Sequence, residues 1–108
     1  MVLAGCGGGD ANPGDAASAM VYKYRGSVQC GTRGSSLAAM SVELIDAGIT
    51  VLSARCGSDG LIHAAVCGAS DGVINIFEIP ANQVASAQSL SFAPLSALPS
   101  ATELPHCP

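Results

Sequence analysis

Cys6, Cys30, Cys56, Cys67, Cys107, His63 and His106 are the side chains with the most chemistry open to them, as thiolate nucleophiles, metal ligands or disulfide partners. A tetrahedral zinc site would need four of them, and His63-x-x-x-Cys67 would suit one helical face. The paired short ligand spacings of such sites are missing, so no metal site is expected. A nucleophilic pair of Cys56 or Cys67 with His63 would need a free thiolate, which disulfide formation removes. Five cysteines in 108 residues, with no C-x-x-C motif, fit a disulfide framework made in an oxidising compartment. No catalytic residue and no cofactor is expected, and the chain reads as non-enzymatic.

The remaining candidates reduce to local structure. Gly7-Gly8-Gly9 has neither a strand before it nor a helix after it, so it is linker and not a phosphate loop. Asp59 and Asp71 each stand at an Asp-Gly turn, without the carboxylate spacing of a calcium loop. A net charge of -4, with Lys23, Arg25, Arg33 and Arg55 as the basic residues, argues against nucleic acid and against an anionic membrane surface as partner. No apolar run approaches the roughly 20 residues that span a bilayer.

The run Leu3-Ala4-Gly5-Cys6 resembles the lipobox of bacterial lipoproteins, which is cleaved before its cysteine. The resemblance implies that Cys6 is the lipidation site and that the protein is a cell-envelope lipoprotein. Gly7 after the cysteine implies export to the outer membrane, on its periplasmic or surface face. Two or more acyl chains anchor stably, since each buried methylene contributes about 0.8 kcal/mol. A secretory signal peptide needs a basic region and an apolar stretch before the box, and only Met1-Val2 stands there. The signal therefore reads as a truncated remnant or a misplaced start, so membrane attachment by lipid is expected only of a full-length form. With Cys6 reserved, Cys30, Cys56, Cys67 and Cys107 remain for disulfides.

Residues 7–19 are Gly, Ala, Asp, Asn, Pro and Ser, too poor in large apolar groups to offset their ordering entropy. Residues 1–19 thus read as signal remnant, lipobox and tether, residues 20–100 as one domain, and residues 101–108 as a tail anchored by Cys107. A core of this size is marginal alone. Each disulfide loop would add roughly 3 to 4.5 kcal/mol in the chain-entropy model.

The elements that must position these residues follow from periodicity. Met20 to Cys30 alternates with period two, with Tyr22, Tyr24, Val28 and Cys30 on one face. Ser35 to Ala47 carries Leu37, Met40, Leu44 and Ile45 at helical spacing, with Ser35 as N-cap and Gly48 as C-cap. Ile49 to Cys56 reads as a second strand, returning beside the first through a right-handed crossover. Val73 to Ile79 is the strongest strand, Pro80 starts a helix over 81–91, and Phe92 to Leu95 supplies a short edge strand. This order is β-α-β-β-α-β, a small disulfide-stapled α+β sandwich of the ferredoxin-like kind.

Residues 57–72 carry two Ser-Asp-Gly turns and read as a loop, which makes Cys56–Cys67 the natural staple and leaves Cys30 for Cys107. Cys30–Cys56 with Cys67–Cys107 is the alternative, because a parallel βαβ unit brings Cys30 and Cys56 to the same sheet end. If Tyr22, Val28, Leu52, Ile74 and Ile76 face the helices, then Lys23, Arg25, Gln29, Arg55, Asn75 and Phe77 share the open face as a possible binding surface.

Ser27-Val28-Gln29-Cys30-Gly31, followed by a helix ending Leu44-Ile45-Asp46-Ala47-Gly48-Ile49, resembles the first βαβ of SPOR domains. That resemblance implies a peptidoglycan-binding module. The leading expectation is a monomeric envelope lipoprotein, antigen-like, that binds an envelope protein or plays a structural part. A peptidoglycan-binding role and a periplasmic metal or redox role stand behind it.

Overall fold

The computed structural model describes residues 17–108, so the lipobox, Cys6 and most of the tether lie outside the described residues. In chain order the elements are β1 (Ser18–Tyr24), α1 (Leu37–Asp46), β2 (Ser53–Ser58), β3 (Val73–Pro80), a 3-10 turn (Ala81–Gln83), α2 (Val84–Ser89), β4 (Ala93–Pro94), a second 3-10 turn (Leu95–Ala97) and β5 (Thr102–Glu103). Together they make a small α+β structure with one antiparallel five-stranded sheet, ordered β4-β1-β3-β2-β5. No helix among the described residues is long and apolar enough to cross a membrane.

Local chemistry sets the element ends. β1 stops at Tyr24 because Gly26 takes φ +80°, a conformation no strand continues through. In α1 the cap is Ser36 rather than Ser35, its hydroxyl accepting from the Ala39 N–H at 3.1 Å. At the far end Gly48, with φ +82°, donates to the Ile45 carbonyl at 2.9 Å and turns the chain toward β2. Ser18 and Ala19, expected in the tether, pair instead with Pro80 and Ile79. Thr102–Glu103, expected in a tail, forms a fifth strand on the edge of β2.

β3 lies between β1 and β2, so the first two strands flank it rather than each other. The register opposes Val21 to Phe77, Lys23 to Asn75 and Cys56 to Asn75, and these residues share one face. That face carries the core: Val21, Phe77 and Ile79 pack with Met40 and Leu44 of α1, Ile49, Ala87 of α2 and Phe92. Phe77 and Phe92 meet edge to face, with centroids 5.7 Å apart. Ile74 and Ile76 are equally buried on the opposite face, which also carries Tyr22 and Arg55. There the chain passes from β4 on one sheet edge to β5 on the other. Gly57 is required beneath it, since a Cβ would lie 2.5 Å from Ile76 Cδ1 and 2.7 Å from the Thr102 carbonyl.

The strand parity is thus the reverse of the expected one. Asn75 and Phe77 are fully buried under the helices, while Tyr22, Ile74 and Ile76 face away from them. β3 has large apolar groups on both sides, so its alternation carries no directional signal.

The disulfides also differ from both expected pairings: they are Cys30–Cys67 and Cys56–Cys107, with Cα separations of 5.0 and 5.3 Å. The first follows from a bridge between Val28 and Ser70, tightened by Gln29 N–H to Ala69 carbonyl and Gly68 N–H to Gln29 carbonyl, each 2.9 Å. The second follows from β5, which runs antiparallel to β2 and extends to a bond from the Leu104 N–H to the Cys56 carbonyl at 2.9 Å. Residues 59–72 do form a loop, and its partner for stapling is the segment after β1.

Candidate functional site

The loop between β2 and β3 is the most organised irregular segment. Its base is closed by the Asp59 N–H donating to the Gly72 carbonyl at 2.9 Å. Asp59 is fully buried, and its carboxylate collects three donors: the Leu61 N–H at 2.9 Å, the Tyr24 hydroxyl at 2.8 Å and His63 Nε2 at 2.8 Å. An ionised carboxylate only accepts, so His63 carries its proton on Nε2. Gly72 is needed beside this cluster, because a Cβ there would lie 2.7 Å from His63 Nε2. On the far side Cys67 ties the loop to Cys30, and the Gln29 side chain donates to the Ala64 carbonyl at 2.7 Å.

A loop held at so many points presents an apolar apex. Leu61, Ile62 and Val66 are exposed, Ile62 completely so at 101%. Ala64 and Ala65 between them are also exposed. These three side chains stand outside the hydrophobic core cluster.

Electrostatics at the base favour one protonation state. Burial alone would raise the Asp59 carboxyl, but the hydrogen bonds from Leu61, Tyr24 and His63 outweigh it and hold the group below its ordinary value of 3.8. Burial, then the hydrogen bond and negative charge of Asp59, push the Tyr24 phenol up to about 12 from 10.0. The Asp59 contribution to stability is therefore present above pH 3.8 and lost as pH falls through the lower folded value. The Tyr24 contribution is full below pH 10.0 and lost as pH rises toward 12. Subtracting the phenolate absorbance titration of Tyr24→Phe from that of the wild type is expected to isolate a midpoint near 12, moved back toward 10.0 by Asp59→Asn. A midpoint of 10.0 in both backgrounds would show that Asp59 does not act on the phenol.

The six residues expected to form an open binding face are not brought together. Lys23 lies on the helix side, donating to Glu43 Oε1 and to the Leu90 carbonyl, each at 3.1 Å, and sits 5.0 Å from the Phe92 ring centre. Arg25 is buried beyond the end of β1, and Gln29 belongs to the loop staple. Arg55 stands on the helix-free face, paired with Glu103 of β5 at 2.9 Å. Asn75 is sealed beneath α1, its amide donating to the Ser35 carbonyl at 3.0 Å and to Met40 Sδ at 3.2 Å. Phe77 is in the core.

Cys56 and Cys67, weighed as partners for His63, are both half-cystines. Among the described residues no group of three or more metal-ligating side chains comes together. Asp59 was legible only as a turn former. Its role as buried hub depends on Tyr24 and His63 arriving from other segments, although the i, i+4 spacing of Asp59 and His63 was visible.

Compared with protein-family models, with curated proteins and with solved structures, the chain matches none.

Proposed function

We propose that this chain is a cell-envelope protein of the lipoprotein kind, anchored through Cys6 and acting by binding rather than by catalysis. The observation that supports the reading is cysteine accounting. Cys30, Cys56, Cys67 and Cys107 consume one another in two disulfides, which leaves Cys6 as the cysteine outside the framework. A framework of this kind belongs in an oxidising compartment, where a lipobox cysteine is also processed. The frame fits a ferredoxin-like βαββαβ unit, with strands β4-β1-β3-β2 in that order and β5 added at one edge. Binding is assigned to the apex Leu61-Ile62-Val66 and an apolar surface on an envelope protein, because three exposed apolar groups stand there on one loop tied down by Cys30–Cys67 and the Asp59 cluster.

Metabolic labelling tests the anchor. Expressed in a bacterium behind a complete secretory leader, the wild-type protein is expected to incorporate an alkyne-tagged fatty acid and to sediment with membranes. Cys6→Ser is expected to lose the label and appear in the soluble periplasmic fraction, with both disulfides intact by mass spectrometry. An unlabelled wild-type protein would overturn the reading.

A further inference from the structure

We infer that the Cys30–Cys67 disulfide is a site of thiol–disulfide exchange with an external dithiol, while Cys56–Cys107 is shielded from the same chemistry. The inference is independent of the lipid anchor.

Exchange requires an attacking thiolate to reach one sulfur of the bridge and the other sulfur to leave as a thiolate. Both requirements separate the two bridges. Cys30 and Cys67 are each exposed, so attack on either sulfur expels a thiolate toward water. Cys56 is 3% exposed on the helix-covered face of the sheet, which puts its own sulfur out of reach. Cys107 is exposed, but attack there would expel the Cys56 thiolate into the interior. That interior opposes the charge. The Cys56 Sγ faces the Asn75 amide oxygen at 3.9 Å, whereas the Asn75 amide nitrogen is given to the Ser35 carbonyl and to Met40 Sδ. A thiolate is costly in such surroundings, and a sulfur that cannot bear the charge leaves slowly.

The fold also lets Cys30–Cys67 open and close again. The two segments are joined independently of the bridge by the Gln29 N–H to Ala69 carbonyl and Gly68 N–H to Gln29 carbonyl bonds, each 2.9 Å, and by the Gln29 side chain on the Ala64 carbonyl at 2.7 Å. These bonds keep the two sulfurs near each other when the crosslink is cut. In the reaction one thiolate of the dithiol attacks a bridge sulfur, the S–S bond breaks, and the other sulfur leaves as a thiolate that takes a proton from water. The second thiol then displaces the protein sulfur from the mixed disulfide. Two electrons and two protons pass in all, the dithiol being oxidised to its disulfide and Cys30 and Cys67 reduced to thiols.

The test treats the full chain, with Cys6 first blocked by N-ethylmaleimide, with dithiothreitol under native conditions, followed by timed quenching with iodoacetamide and peptide mapping. Cys30 and Cys67 are expected to acquire label at least about tenfold faster than Cys56 and Cys107, through a species with one bridge open and native circular dichroism. In denaturing urea the two bridges are expected to open at rates within about twofold of each other, because the interior is gone. Position 66 is exposed and adjoins Cys67, so Val66→Lys attracts the attacking thiolate and Val66→Glu repels it. At low ionic strength Cys30–Cys67 is expected to open about threefold or more faster in Val66→Lys than in Val66→Glu, with Cys56–Cys107 unchanged. Label reaching Cys56 and Cys107 first or simultaneously under native conditions, or no effect of the charge at position 66, would overturn the site. A tenfold difference that persisted in urea would overturn the part assigned to burial.

Discussion

Phe77→Ala is expected to destabilise the domain by about 3–5 kcal/mol, the usual cost of emptying a buried aromatic site. The ring is fully buried at the point where the sheet meets α1, α2 and Phe92. The neighbours cannot collapse into the space easily, since Val21 and Ile79 are held by β-pairing and Met40 and Leu44 by a capped helix. Urea denaturation followed by circular dichroism would show a lower midpoint with an unchanged slope. The same substitution on a solvated sheet face would stay within about 0.5 kcal/mol. The measurement therefore decides between the two parities of β3, and a near-neutral result would put Phe77 outside the core.

Removing the Cys56–Cys107 disulfide, as Cys56→Ala with Cys107→Ala, is expected to cost about 4 kcal/mol in the chain-entropy model for its separation of 51 residues. For a domain of ordinary stability, about 5–15 kcal/mol in all, that is enough to leave a large unfolded fraction on mild heating. The loss has a place as well as a size. β5 is two residues long, and beyond the disulfide it is held at its edge mainly by the pairing of Gly57 and Ser58 and by the exposed Arg55–Glu103 bridge. An exposed ion pair contributes roughly 0.2–1 kcal/mol and cannot substitute for the crosslink. Hydrogen exchange is expected to lose protection first at the Leu104 N–H and along the free edge of β2. Cys30→Ala with Cys67→Ala, closing a 37-residue separation, is expected to cost a similar amount but to loosen the 59–72 loop instead. The opposite spatial pattern, or no difference between the two variants, would contradict the connectivity.

Several elements were legible from residue pattern alone. The alternation after Met20, the Leu37-Met40-Leu44 spacing and the run Val73 to Ile79 each specify an element by its own periodicity, and β1, α1 and β3 are found there. Ser-Asp-Gly at either end of residues 57–72 marks turns, because Asp side chains bond the backbone two residues on, as Asp59 to Leu61 and Asp71 to Val73 do. Boundaries moved where a single residue ends an element, as Gly26 ends β1.

What the residues could not decide by themselves is which groups meet. A strand with large apolar side chains on both faces gives no sign of which face is covered by helices, so the parity of β3 rests on packing. Two residues, Thr102 and Glu103, are too few to carry a period, yet their pairing with β2 selects Cys107 as the partner of Cys56. The same holds for Asp59 with Tyr24 and His63: each is an ordinary polar residue in its own segment. Local propensity acts over a few residues and so determined β1, α1, β3 and the turns at Asp59 and Asp71. Cysteine pairing, face assignment and the buried polar clusters are contacts between segments distant in sequence, and only the closed tertiary structure, where burial makes each unpaired group costly, selects among them.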